Sequence, residues 1–312
     1  MESFKREIID SHQLRVVSAS KERKDYFLCH FQSEFFQEQL DFIWEKNHKS
    51  KGSITFAISK KGEAISLPQS PFGGFWIYEG LSSASLEAFI LSVIGELKYR
   101  GIHTISLTQA PKPYEEQFDL INYLLFKSGF EQQKVLSHQF FIGKKKIKKH
   151  AQKESAKLNS KGSNLGLKVS HSSISNFGFL KEIRSWNAQK GYEVIIDENR
   201  IVQQVSEYPD RYFLITVSKN GDPVGYSLGV KLTSDSLYYF LSATNPKIPL
   251  KNGGELILNE LFQLAVEQKV NFIDLGSSDL EDGANHSLMF FKSRFSNDIC
   301  NKITWVKKIN NG

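Results

Sequence analysis

At 312 residues, 24% of them charged and 40% apolar, the chain has a globular composition and enough length for two ordinary domains. No run approaches the ~18–20 apolar residues of a membrane span, and the opening Met-Glu-Ser-Phe-Lys-Arg-Glu lacks the apolar centre of a signal peptide. Cys29 and Cys300 are the only cysteines, and the eight histidines are scattered without metal-type spacing. The expectation is a cytoplasmic protein without a metal. The net charge of +6 is local: Lys144–Lys161 holds eight lysines and one glutamate, which leaves the rest of the chain near neutral.

In chain order, Gln13–Ala19 reads as a strand. Phe35, Phe36, Leu40, Phe42, Ile43 and Trp44 predict a helix over Phe31–Asn47. Ile54–Ser59 and Glu63–Leu67 flank the turn Lys60-Lys61-Gly62 as a hairpin. A compact loop, Pro68–Gly74, precedes the aromatic strand Phe75–Tyr78. Leu86, Phe89, Ile90, Val93, Ile94 and Leu97 recur at helical spacing, and Gly101 stops that helix. A strand at Ile102–Leu107, a helix at Tyr114–Ser128 and a strand at Gln133–Ile142 follow.

Lys144–Ser160 reads as a basic helix with a narrow apolar stripe, Ile147, Ala151 and Leu158, suited to lying on a surface or across two domains. The domain junction is placed here, giving domains 1–143 and 144–312, with a loop over Ser160–Asn164. The order then begins again from Leu167: a short strand, helices over Ser173–Lys190 and Glu198–Glu207, and a hairpin turning at Asn220-Gly221-Asp222. The strand Ser236–Ser242, a two-proline loop, a helix, the strand Phe272–Leu275, a helix near Ser287–Arg294 and the strand Asn301–Val306 complete the chain. Both halves share one order of elements, so two copies of an α/β unit are expected, each a mixed, mostly antiparallel sheet flanked by helices.

The stretch most suggestive of chemistry is Lys251-Asn252-Gly253-Gly254-Glu255. Asn252 with Glu255 three residues on makes a capping box. A helix start exposed after a strand presents free N–H groups and a positive dipole end to a phosphate, and two glycines allow close approach. Asn followed by two glycines equally suits an ordinary helix start.

Ser70-Pro71-Phe72-Gly73-Gly74 after Leu67-Pro68, the mid-chain basic helix, and Asp274-Leu275-Gly276 followed by Phe290-Phe291-Lys292 and Phe295 together resemble the FemAB-like branch of the GNAT superfamily. The resemblance covers nearly the whole chain and implies two tandem GNAT domains. Some members of that family pass amino acids from aminoacyl-tRNA to peptidoglycan precursors, and others are acyl-CoA N-acyltransferases. It implies an N-acyltransferase taking acetyl-CoA or another acyl-CoA, or else an aminoacyl-tRNA, as donor. A fold retained as a non-catalytic binding module is the remaining reading. The wider GNAT loop pattern is Arg/Gln-x-x-Gly-x-Gly/Ala, whereas here the glycines are adjacent and the arginine is missing. The first half offers only Gly80-Leu81-Ser82-Ser83, so donor binding is expected in the second.

The resemblance also places Lys292 at the donor's reactive end, stabilising developing negative charge; Arg294, on or near the same helix, is a candidate substrate contact. Both also suit an exposed helix end. Asp274, at the end of its strand, is a candidate for orienting or deprotonating an amine, or a turn or helix-cap residue. Tyr238 and Tyr239 alternate faces, so one packs in the core and the other is a candidate general acid; Tyr239 is named for that role. Phe72 and Trp76 are candidates for shaping the site of a small-molecule or peptide amine acceptor, expected in a cleft between the two halves; a structural turn is the other reading. The lysines of 144–161 are a candidate tRNA contact, or a solvated connecting helix.

Overall fold

The computed structural model describes residues 12–19, 25–29, 36–161, 166–191, 197–248, 250, 252–280 and 283–309. The start of the expected Phe31–Asn47 helix, the Gly162–Asn164 loop, Pro249 and Lys251 lie outside them. The chain divides into two compact units, residues 1–137 with 300–312, and residues 138–299.

In the first unit β1 (His12–Ser18), β2 (Phe36–Lys46) and β3 (Lys49–Ser59) form an antiparallel meander. β4 (Glu63–Ile65), β5 (Trp76–Ile77) and β6 (Thr104–Thr108) follow; β5 pairs with β3, and β4 runs parallel to β6. The C-terminal strand Asp298–Lys308 pairs antiparallel with β6. Phe36–Lys46 is a strand, not the expected helix. Leu40, Phe42 and Trp44, two apart, face one core, while Ile43 is buried on the other face. Two buried faces together mimic a helical stripe. Asn47 and His48 both take positive φ (51° and 61°), the geometry that turns a two-residue hairpin.

α1 (Ser83–Tyr99) starts where Ser82 Oγ accepts from Ser85 N and buries Leu86, Phe89, Ile90, Val93 and Leu97. Truncating Leu86 or Phe89 to alanine would cost about 2–5 kcal/mol. α2 (Phe118–Lys127) begins later than expected, because Pro111 O first accepts from Tyr114 and Glu115 N in a separate turn. β7 (Glu131–Ile142) gives its first seven residues to this unit and its last five to the second.

The second unit contains α3 (Lys144–Lys161), β8 (Leu167–Ser173), α4 (Gly178–Gln189), α5 (Glu198–Glu207), β9 (Tyr212–Lys219), β10 (Asp222–Val230) and β11 (Ser236–Thr244). After these come α6 (Gly253–Glu267), β12 (Phe272–Ser277), the two-residue strands β13 (Asp279–Leu280) and β14 (Gly283–Ala284), and α7 (His286–Ser293). β8, β9, β10 and β11 are successively antiparallel, β11 and β12 are parallel with α6 as the crossover, and the end of β7 closes antiparallel on β12. The basic helix α3 is part of this unit: Ile147 and Ala151 are buried with α6, and Gln263 Nε2 donates to Ala151 O at 2.9 Å.

Both units thus repeat one kernel of hairpin, strand, helix, parallel strand and helix. The boundary expected at 143/144 differs from the observed division, because the last strand of each half completes the other half's sheet: β7 pairs with β12, and the C-terminal strand with β6. Among the described residues no helix is long and apolar enough to cross a membrane.

Candidate functional site

In the second unit β11 and β12 pair only from Ser236–Tyr238 to Phe272–Asp274, after which β11 continues to Thr244 beside β10. Among the described residues no strand takes over its other edge. The first unit has the same parallel pair, Glu63–Ile65 with Thr104–Ser106, but its end is filled. Gly73 N donates to Thr108 O and Gly74 N to Ser66 Oγ, both at 2.9 Å. The Gln109 amide accepts from Phe75 N and donates to Phe75 O. A Cβ on Gly73 would lie 2.6 Å from Ser66 Oγ, and one on Gly74 (φ 80°) would fall on the Gln109 side chain. The two glycines serve backbone packing, and the loop fills the end of this strand pair.

Phe72, expected at the acceptor, is 1% exposed and packs between Tyr26 (5.1 Å) and Tyr114 (4.5 Å). It is a core residue of the first unit. Trp76 is half-buried against Tyr26.

At the start of α6 the expected capping box does not form. Asn252 takes the left-handed conformation (φ 64°) and its side chain makes no cap bond; Glu255 is held by Arg294 Nη1 at 2.8 Å. Arg294 stacks over Phe291 (5.2 Å) and Phe295 (5.8 Å), and a Cβ on Gly254 would meet the Phe291 ring at 2.9 Å. Asn252 is exposed, Gly254 and Glu255 are half-buried, and Gly253 is buried beside Leu250 and Thr244. α7 therefore brings a guanidinium to the first turn of α6, where the loop supplies none. The proposed donor turn and Arg294 come together, with Phe291 covering part of the glycine pair. Lys251 lies outside the described residues.

One residue further along α7 the chain buries Lys292, which is 4% exposed and donates through Nζ to Ser277 O at 2.6 Å. Burial pulls its pKa down to about 8, against the opposing pull of Asp274 and Asp279. Asp274 is itself fully buried: its Oδ1 accepts from Gly276 N at 2.7 Å and sits 3.2 Å from His138 Nδ1. Register sets Tyr238 beside Asp274, and burial followed by that carboxylate pushes the Tyr238 phenol up. Tyr239 falls on the other face with Leu237, packed into the α6 core, and so does not join Asp274 and Lys292.

Lys292, Asp274, Tyr238 and His138 thus converge at the end of β12, where strand backbone leaves the sheet. His138 escaped the sequence reading, although a histidine in the aromatic run His138-Gln139-Phe140-Phe141 near the end of a strand was a usable signal.

No family model and no curated protein matches the sequence. Solved structures do share the fold. A tandem GNAT protein from the clavulanic acid biosynthesis pathway has a TM-score of 0.57 at 9% identity, covering 96% of this chain and 100% of that one. FemX has a TM-score of 0.61 at 11% identity, with 86% and 88% covered. The C-terminal domain of a putative lysylphosphatidylglycerol synthetase from Agrobacterium fabrum has a TM-score of 0.52 at 11% identity, with 83% and 82% covered. The chain has the tandem GNAT fold.

Proposed function

We propose that the protein is an acyltransferase that moves an activated acyl group to an amine, with the donor in the second unit. The observation that carries this reading is the contrast between the two parallel strand pairs. The first is plugged by Gly73–Phe75 and Gln109, whereas β11 and β12 part after Tyr238 and Asp274 with the edge of β11 left over. An extended donor running along that edge would take backbone hydrogen bonds as an added strand does. Its phosphates would lie toward the first turn of α6, beside the Arg294 guanidinium, which can donate further N–H groups while its Nη1 holds Glu255.

The reaction assigned is aminolysis. The amine nitrogen attacks the acyl carbon, the carbonyl oxygen gathers negative charge near the Lys292 ammonium, and the thioester or ester bond breaks. With a pKa of about 8, Lys292 is predominantly charged at neutral pH, as that role requires. Titration calorimetry with acetyl-CoA and longer acyl-CoAs tests the donor assignment. Binding that weakens at least about tenfold in Arg294→Glu supports it. No binding of any acyl-CoA removes coenzyme A from the reading.

An aminoacyl-tRNA donor is the second reading, and the surface of α3 favours it. Lys144, Lys145, Lys146, Lys148, Lys149 and Lys153 are all exposed on a helix pinned by Ile147 and Ala151. Binding of aminoacyl-tRNA through these side chains would weaken steeply with salt, and the salt slope would fall when three of them are replaced by glutamate. Turnover with neither donor would leave a binding module as the function.

A further inference from the structure

We propose that His138 is the general base of the transfer and that Asp274 is its positioning residue; this rests on the acyltransferase reading. His138 is 1% exposed, its Nδ1 lies 3.2 Å from Asp274 Oδ1, and its Nε2 is buried without a hydrogen-bond partner among the described residues. The carboxylate selects the tautomer: Nδ1 carries the proton and donates to Asp274, which leaves the Nε2 lone pair as an acceptor. A buried nitrogen without a partner is costly to the fold, and such groups are retained where chemistry uses them. Ser278 Oγ and one oxygen of Asp279, just beyond the end of β12, are likewise buried and unpartnered. Unmet hydrogen-bonding capacity therefore gathers at one end of this strand, as at a site completed by a substrate.

Register puts His138 opposite Ser277, whose carbonyl holds Lys292. Base and oxyanion partner are thus tied to the same residue of β12. The charged and titratable groups of this cluster are Asp274 from β12, Tyr238 from β11, Lys292 from α7, and Asp279 beyond β12. In the proposed step the amine forms its bond to the acyl carbon and gives a proton to His138 Nε2. The bond to the departing thiolate or alkoxide then breaks, and the imidazolium returns that proton to the leaving group.

The test compares wild type, His138→Asn and Asp274→Asn. Asparagine at 138 keeps an N–H for Asp274 but has no basic nitrogen. Circular dichroism melting confirms that each variant folds, and His138→Gln serves where His138→Asn does not. The expected result is a fall of roughly 10²- to 10⁴-fold in kcat/KM for His138→Asn, with loss of the acid-side limb of the pH–rate profile. Asp274→Asn should retain that limb with its midpoint moved. Retention by His138→Asn of both the rate, within about threefold, and the limb overturns the base assignment while leaving the transferase standing. Absence of transfer by the wild type from both acyl-CoA and aminoacyl-tRNA overturns the transferase reading itself, and the base with it.

Discussion

Replacing Lys292 by methionine should make the protein more stable while abolishing transfer. In the fold the ammonium is buried and its pKa falls from the ordinary 10.5 to about 8. At about 1.4 kcal/mol per tenfold, the charged form is therefore disfavoured by roughly 3 kcal/mol at neutral pH. Methionine fills a similar volume without charge but leaves Ser277 O without its donor, a loss of about 1–2 kcal/mol. The net expectation at pH 7 is a gain of about 1–2 kcal/mol, or about 3–6 °C in the melting of a unit this size. The sign of the pH dependence is fixed. Between about 8 and 10.5 the unfolded chain binds the proton that the folded chain has released, so wild-type stability rises with pH there. The advantage of Lys292→Met should therefore shrink from pH 7 to pH 9.5. Urea unfolding at both values measures it. A variant no more stable than wild type at pH 7, or an advantage that does not change with pH, would refute the argument.

Other perturbations test separate parts of the structure. His171 on β8 bridges two carboxylates of α6, Nδ1 to Glu260 at 2.8 Å and Nε2 to Glu267 at 2.9 Å, and the pair outweighs burial to raise its pKa. Its stabilisation is complete below the ordinary histidine value of 6.5 and fades as pH rises through the raised one, so His171→Gln should flatten the dependence of urea unfolding over that window. Gly74→Ala forces a Cβ onto Gln109 at a positive φ, and should destabilise the first unit by on the order of 3 kcal/mol in thermal melts. Glu115, raised to about 6 by burial although Ile77 N and Gln117 N donate to it, withdraws stability as pH climbs from 4.5 through 6. Glu115→Gln should remove that slope from melts taken between pH 4.5 and 7.

What was legible in the chain was local. The spacing from Leu86 to Leu97 and the Asn220-Gly221 turn state their structures outright, because period and turn chemistry act over a few residues. Phe36–Lys46 misled because both faces of β2 are buried, which erases the alternation that separates a strand from a helix. The site was half legible. Lys292 and Asp274 could be singled out, but α7 inverts the usual rule by exposing Phe290 to 72% and burying Lys292. That inversion follows from the position of α7 over the end of β12, which no local pattern records. Alternation says that Tyr238 and Tyr239 differ in face, not which face carries the carboxylate; register gives that face to Tyr238. His138 lies 136 residues from its partner Asp274, a separation that only the closing of β7 on β12 spans.

The exchange of final strands has a consequence for synthesis. The sheet of the first unit awaits residues 304–308, so its β6 edge stays unclosed until the whole of the second unit has been made. Cutting the gene at the apparent midpoint would strand a β-edge in each fragment, whereas mixing the two fragments restores both closures by complementation. The two units therefore mature together, and a stop codon placed before Thr304 should be felt in the strands of the first unit.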